Sequence, residues 1–183
     1  MKYWYLDIEI SGTRAFDEVI EVAILENDSE NTRLMWIFDS LISGVDSITS
    51  PQEFLTGITM NALTQPGLPQ IKSVVQCLLS IPADAVLVSY SLQFDLDFIC
   101  HTAELNGIKN FTGKDFEGIC LLDEVKSLTG KHVSLDDALG VTRANHRASA
   151  DAKLHFELHK RLKQLKKVNS GLFIANRTPN ILK

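Results

Sequence analysis

The sequence predicts an α/β fold, a central mixed β-sheet flanked by helices, from three observations. β-rich runs fill the first 40 residues, helical periodicity dominates after residue 70, and one short apolar strand interrupts the helices. Residues 3–10 alternate, with Trp4, Leu6, Ile8 and Ile10 on one face and Tyr3, Tyr5, Asp7 and Glu9 on the other, which is the period of a strand. A turn over residues 11–17 leads into β-rich runs at 19–25 and 34–38, completing a meander. Residues 57–63 are expected to begin a short helix, and Pro66, Gly67 and Pro69 mark a loop. Apolar residues then recur at helical spacing over 70–79, a buried strand covers 85–88, and a helix covers 92–105. Ser134, with Asp137 three residues on, caps a short helix over 135–139. The last helix runs over 148–167 with a stripe of Leu154, Leu158, Leu162 and Leu165. One domain over residues 1–167 and a loosely held tail over 168–183 are expected.

Composition narrows the class. With 183 residues, 45% hydrophobic and 22% charged, the chain fits one soluble domain with a real core. Its longest nearly apolar stretch, residues 85–92, contains two serines and is less than half a membrane span. Met1 and Lys2 lead straight into Tyr3, Trp4 and Tyr5 without a signal-peptide pattern. Cys77, Cys100 and Cys120 are odd in number and lie in apolar surroundings, which fits reduced thiols and a cytoplasmic setting. A net charge of -5 argues against coating nucleic acid by bulk electrostatics. It leaves room for a nuclease, whose metal site must itself hold several carboxylates.

Candidate chemistry begins with acids in apolar company. Asp7 and Glu9 are two apart on a strand, so their carboxylates emerge on one side and repel each other. A cation would neutralise the pair, and hard oxygen donors suit magnesium or manganese. A solvated edge strand with two surface acids fits the same residues. Asp95, in the first turn of its helix, shares a face with Phe98 and Ile99, and complementing the helix dipole would also explain it. Asp151 is more telling, because it lies on the leucine stripe of the last helix and so faces the core. His146 lies in the loop just before that helix, whereas His101, His132, His155 and His159 read as ordinary surface residues. The basic run Lys160, Arg161, Lys163, Lys166 and Lys167 reads as a solvated helix face.

In this order the residues resemble the DnaQ-like exonucleases of the DEDDh type, within the RNase H-like superfamily. That family includes polymerase proofreading subunits and the RNase T group. Asp7-Ile8-Glu9-Ile10-Ser11-Gly12 is similar to its first motif, Gly57-Ile58-Thr59 to its Gly-Ile-Thr stretch, and Phe94-Asp95 to its second motif. His146 and Asp151 give the His-x-x-x-x-Asp third motif, with histidine rather than tyrosine marking the DEDDh branch. The resemblance implies an RNase H-like fold and 3′-to-5′ hydrolysis of single-stranded nucleic acid, DNA slightly favoured over RNA, releasing nucleoside 5′-monophosphates. It further implies two magnesium or manganese ions held by Asp7, Glu9, Asp95 and Asp151, with His146 as general base. Two positions depart from the pattern: Tyr90-Ser91 stands where His-Asn is common, and Ile10 stands where Thr often follows the first motif. An internally cutting relative and a catalytically weak binding or polymerase accessory module are the competing readings. Action as a polymerase subunit or a homodimer is left open.

Overall fold

β1 (Lys2–Ile10) is buried on both faces, and the rest of the fold follows from how those faces are covered. It pairs antiparallel with β2 (Val19–Asp28), which pairs antiparallel with β3 (Leu34–Leu41). On its other side it pairs parallel with β4 (Ala85–Ser89), which pairs parallel with β5 (Gly118–Cys120). The sheet is therefore mixed, in the order β3-β2-β1-β4-β5. This computed structural model describes residues 1–28, 33–113 and 116–171.

Helices close the sheet from both sides. Trp4, Leu6, Ile8 and Ile10 pack against α3 (Ile71–Leu79) and α4 (Leu92–Leu105) through Val74, Leu78, Leu96 and Ile99. Tyr3 and Tyr5 face α5 (Leu121–Thr129), α6 (Leu135–Leu139) and α7 (Ala148–Gly171), where Val125, Leu139, Leu158 and Leu162 are buried. Two short helices, α1 (Ser50–Thr56) and α2 (Met60–Leu63), lie in the connection between β3 and α3.

The alternating pattern of residues 3–10 thus reports two buried faces, one aliphatic and one aromatic, and the edge-strand reading of Asp7 and Glu9 is corrected: β1 is the middle strand. The short helix expected over residues 57–63 is α2, which starts at Met60 behind the N-cap Thr59, and α1 precedes it. Gly57 is the C-cap of α1 with φ 70°, a left-handed conformation that favours glycine. Ser134 caps α6 as expected, its hydroxyl oxygen accepting from the Asp137 amide at 3.1 Å. α7 extends to Gly171, and the rest of the expected tail, residues 172–183, lies outside the described residues. Among the described residues no helix is long and apolar enough to cross a membrane, and Cys77, Cys100 and Cys120 are free thiols.

One topological detail opens the site. The β1–β4 ladder covers only Lys2 to Tyr5, because β4 ends at Ser89 and the chain turns into α4. Asp7 and Glu9 lie beyond that ladder, at the carboxyl ends of two parallel strands, where open α/β sheets form crevices. A register shift between Glu9 and Ile10 re-aims the strand at the same point.

Candidate active site

The acids converge. One oxygen each of Asp7, Glu9 and Asp151 lies within 4.8 Å of the other two. Asp7 and Asp151 line a cavity of about 440 Å³ together with Asp95, His146, Arg143 and His155. Glu9, only 7% exposed, does not line that cavity and reaches the cluster from within the fold. Asp95 stands outside the three-acid cluster but shares its cavity, and its carboxylate accepts a very short hydrogen bond from the Ser89 hydroxyl at the end of β4. Its burial sets it apart from an acid that only complements a helix dipole in solvent. Asp97, by contrast, is exposed and accepts from Gln93 Nε2 at 2.8 Å.

Crowding has an electrostatic cost. Asp7 is held well above the usual carboxylate range, first by burial and then by the charges of Asp95 and Glu9. Burial, and after it the charge of Glu21, pushes Glu9 up to about 7. Asp95 is also raised to about 7 by burial, against the lowering effect of its Ser89 hydrogen bond. These acids are strained as anions, and a cation among them would relieve the strain.

His146 Nδ1 lies 3.6 Å from Asp151 Oδ2 and 3.3 Å from Arg143 Nη2. Its pKa is lowered from 6.5, first by burial and then by the Arg143 charge, so the imidazole is neutral near pH 7. The loop that carries it is fixed at both ends. The His146 amide donates to the Leu55 carbonyl of α1 at 2.9 Å. Arg147 forks onto Glu21 with Nε at 3.0 Å from both carboxylate oxygens, and the Ala148 amide donates to Glu21 Oε2 at 2.8 Å.

Glu21 therefore caps the start of α7 and sets the approach of His146 and Asp151. Sequence reading passed over it as a strand residue; the signal was an acid in the middle of Val-Ile-Glu-Val-Ala, which becomes the direct cross-strand partner of Glu9. Glu21→Ala leaves Arg147 and the Ala148 amide without this partner and is expected to cost about 1–3 kcal/mol. A thermal melt checks it, and an unchanged Tm would show that Glu21 does not hold this helix in place.

Other residues also take unexpected places. His155 and His159, expected at the surface, are buried at 0% and 3% exposure. His155 follows Asp151 by one helical turn on the same face; its Nδ1 donates to the Leu6 carbonyl at 2.9 Å, and its Nε2 lies 3.4 Å from Asp7 Oδ1. His159 meets the Tyr5 hydroxyl at 3.0 Å. The Tyr90 departure is a structural tie, since its hydroxyl donates to the Val133 carbonyl at 2.5 Å ahead of α6. Ile10 packs into the aliphatic core. A Cβ at Gly12 would sit 2.2 Å from Asp17 Oδ2, so a side chain there would require the buried Asp17, paired with Arg14, to shift.

The architecture recurs in solved nucleases. Cell-death related nuclease 4 (CRN-4) matches with a TM-score of 0.69 at 19% identity, over 90% of this chain and 64% of that one. A 3′-exonuclease, solved in 3′-end specific recognition of a histone mRNA stem-loop, matches at 0.68 and 13% identity, over 91% of this chain and 82% of that one. The apo Pan2 pseudoubiquitin hydrolase-RNA exonuclease module of Saccharomyces cerevisiae, in complex with AAGGAA RNA, matches at 0.67 and 16% identity, over 91% of this chain and 29% of that one. The chain thus spans less than two thirds of the length of two of these three. No protein-family model and no curated protein matches the sequence. The fold is the one these nucleases share: an α/β fold with a mixed five-stranded sheet flanked by helices.

Proposed function

We propose that residues 1–167 form a metal-dependent 3′-to-5′ exonuclease domain that shortens single-stranded nucleic acid and releases nucleoside 5′-monophosphates. The observation that carries this reading is the meeting of Asp7, Glu9 and Asp151 within 4.8 Å, in a fold shared with 3′-exonucleases. The donor set fits magnesium or manganese, because it consists of carboxylate oxygens whose anionic forms are disfavoured without a cation. Asp7, Glu9 and Asp151 would hold one ion, and Asp7 with Asp95 a second. When bound, such ions would stabilise charge on the attacking and leaving oxygens of a displacement at phosphorus.

The chain's own groups supply the rest. A neutral His146 beside Asp151 takes the proton of the attacking water, and its depressed pKa keeps it free to do so near neutrality. Phe94, 44% exposed at the cavity, offers a ring face to an unpaired terminal base. Single strands are favoured over blunt duplex, since a terminal phosphodiester reaches the cavity only once its end is unpaired. The sequence expectation leans to DNA, but two of the similar structures involve RNA, so both polymers are candidate substrates. The three free thiols support a reducing, cytoplasmic setting.

Matched linear DNA and RNA oligomers with a labelled 5′ end test the reading. Stepwise shortening from the 3′ end with magnesium or manganese, abolished by chelation, is expected. Cutting of a circular single strand would favour an internally cutting enzyme, and binding without turnover would favour an idle binding module.

A further inference from the structure

Arg143 stands in the acid site, and the reaction above uses only its charge, which helps keep His146 neutral. It lies in the loop between α6 and α7 with its side chain 14% exposed. Nη1 pairs closely with Asp151 Oδ1, Nη2 lies 2.5 Å from Asp136 Oδ1, and Nη2 also lies 3.3 Å from His146 Nδ1. Its charge reaches further, opposing the rise that burial imposes on both Asp7 and Glu9. One fixed cation therefore sits on a carboxylate of the three-acid cluster and is felt by the other two.

A guanidinium cannot leave this position by losing its proton, since it stays charged at any ordinary pH. It can only move. A divalent ion coordinated by Asp151 would meet the guanidinium at short range, where like charges in a partly buried site repel strongly. Asp136, in the first turn of α6, already forms an ion pair with the other arm of the fork and gives Arg143 a place to remain paired after it releases Asp151.

We propose that Arg143 is a built-in counter-cation: it offsets part of the acid cluster's charge in the metal-free protein, must swing off Asp151 toward Asp136 for metal to enter, and so sets the affinity for metal. This rests on the reading of Asp7, Glu9 and Asp151 as metal ligands. It makes metal binding an exchange of one cation for another, weaker than the same acids would give alone. Arg143 is here a positioning residue, acting on ligands and not on substrate.

The full chain, freed of metal by chelation, is titrated with manganese alone and with magnesium alone by calorimetry and by thermal shift. Arg143→Gln should bind metal about tenfold more tightly than wild type, within the usual range of a coupling between two bound groups. It should also melt lower without metal and show a larger metal-induced rise. Asp136→Asn keeps the guanidinium but removes its alternative partner, so it should bind metal more weakly than wild type. Equal or weaker binding by Arg143→Gln overturns the proposal, as does tighter binding by Asp136→Asn. Absence of metal binding in all three proteins would overturn the metal-site reading, and this inference with it. Binding by wild type that neither substitution alters would overturn this inference alone.

Discussion

Replacing His146 with alanine is expected to lower the rate of 3′-end trimming about 10²- to 10⁴-fold, the usual contribution of a positioned general base. Metal binding should change little, because His146 lies beside Asp151 but outside the three-acid cluster. The pH profile gives a second readout. Burial and Arg143 hold the imidazole below 6.5, so the rate should rise with pH through a limb centred below 6.5 and level off near neutrality. That limb should be missing from the residual activity of His146→Ala. His132 is the fitting control, since it is exposed and does not line the cavity, whereas His155 lies against Asp7 and would confound the comparison. A loss of similar size in His132→Ala would mean that the base lies elsewhere.

Asp7→Asn should abolish both nuclease activity and metal-induced stabilisation while making the metal-free protein more stable. Asp7 is raised by burial and by repulsion from Asp95 and Glu9, so its anion opposes folding near neutral pH. Between the unfolded carboxylate range, near 4, and the folded values of about 7 for Glu9 and Asp95, the folded protein holds protons that the unfolded chain has released. Stability is therefore greatest at the acid end of this window and falls as pH rises through it. Removing one charge should flatten that fall and raise the metal-free Tm near pH 8 by about 2–8 °C, the shift that 1–2 kcal/mol gives in a domain of this size. A metal that binds only the folded wild type adds stability with the logarithm of its concentration, and the variant should lack this rise. If Asp7→Asn melted lower without metal and still responded to magnesium, Asp7 would be a structural acid.

What could be read from the sequence followed from regular spacing. Asp7 and Glu9 on one strand face, and Asp151 on a leucine stripe, are consequences of periods of 2 and 3.6, and the structure brings these three acids together. The main strands and the long helices were legible for the same reason. The three-residue β5 was too short to show a period, and α5 follows it directly and starts at Leu121 without a side-chain cap. Glu21 and His155 were out of reach for another reason. Their roles are defined by partners far along the chain: Arg147 lies 126 residues from Glu21, and Leu6 lies 149 from His155. Burial reversed the reading of His155 and His159, because an imidazole becomes an interior residue once a carbonyl or hydroxyl accepts or supplies its proton.

The anchoring of α7 on Glu21 has a consequence for when the protein can act. Asp7 belongs to the first strand and Asp151 to the last described helix, so the three-acid cluster does not exist until segments more than a hundred residues apart have met. Such distant pairings form late and slowly, because their loop-closure entropy is spent before any contact repays it. A chain still emerging during synthesis, with β1 to α4 made and the segment from His146 onward absent, would carry Asp7, Glu9 and Asp95 but neither Asp151 nor His146. The degradative chemistry proposed here is thus withheld from a nascent chain until α7 has been made and has docked.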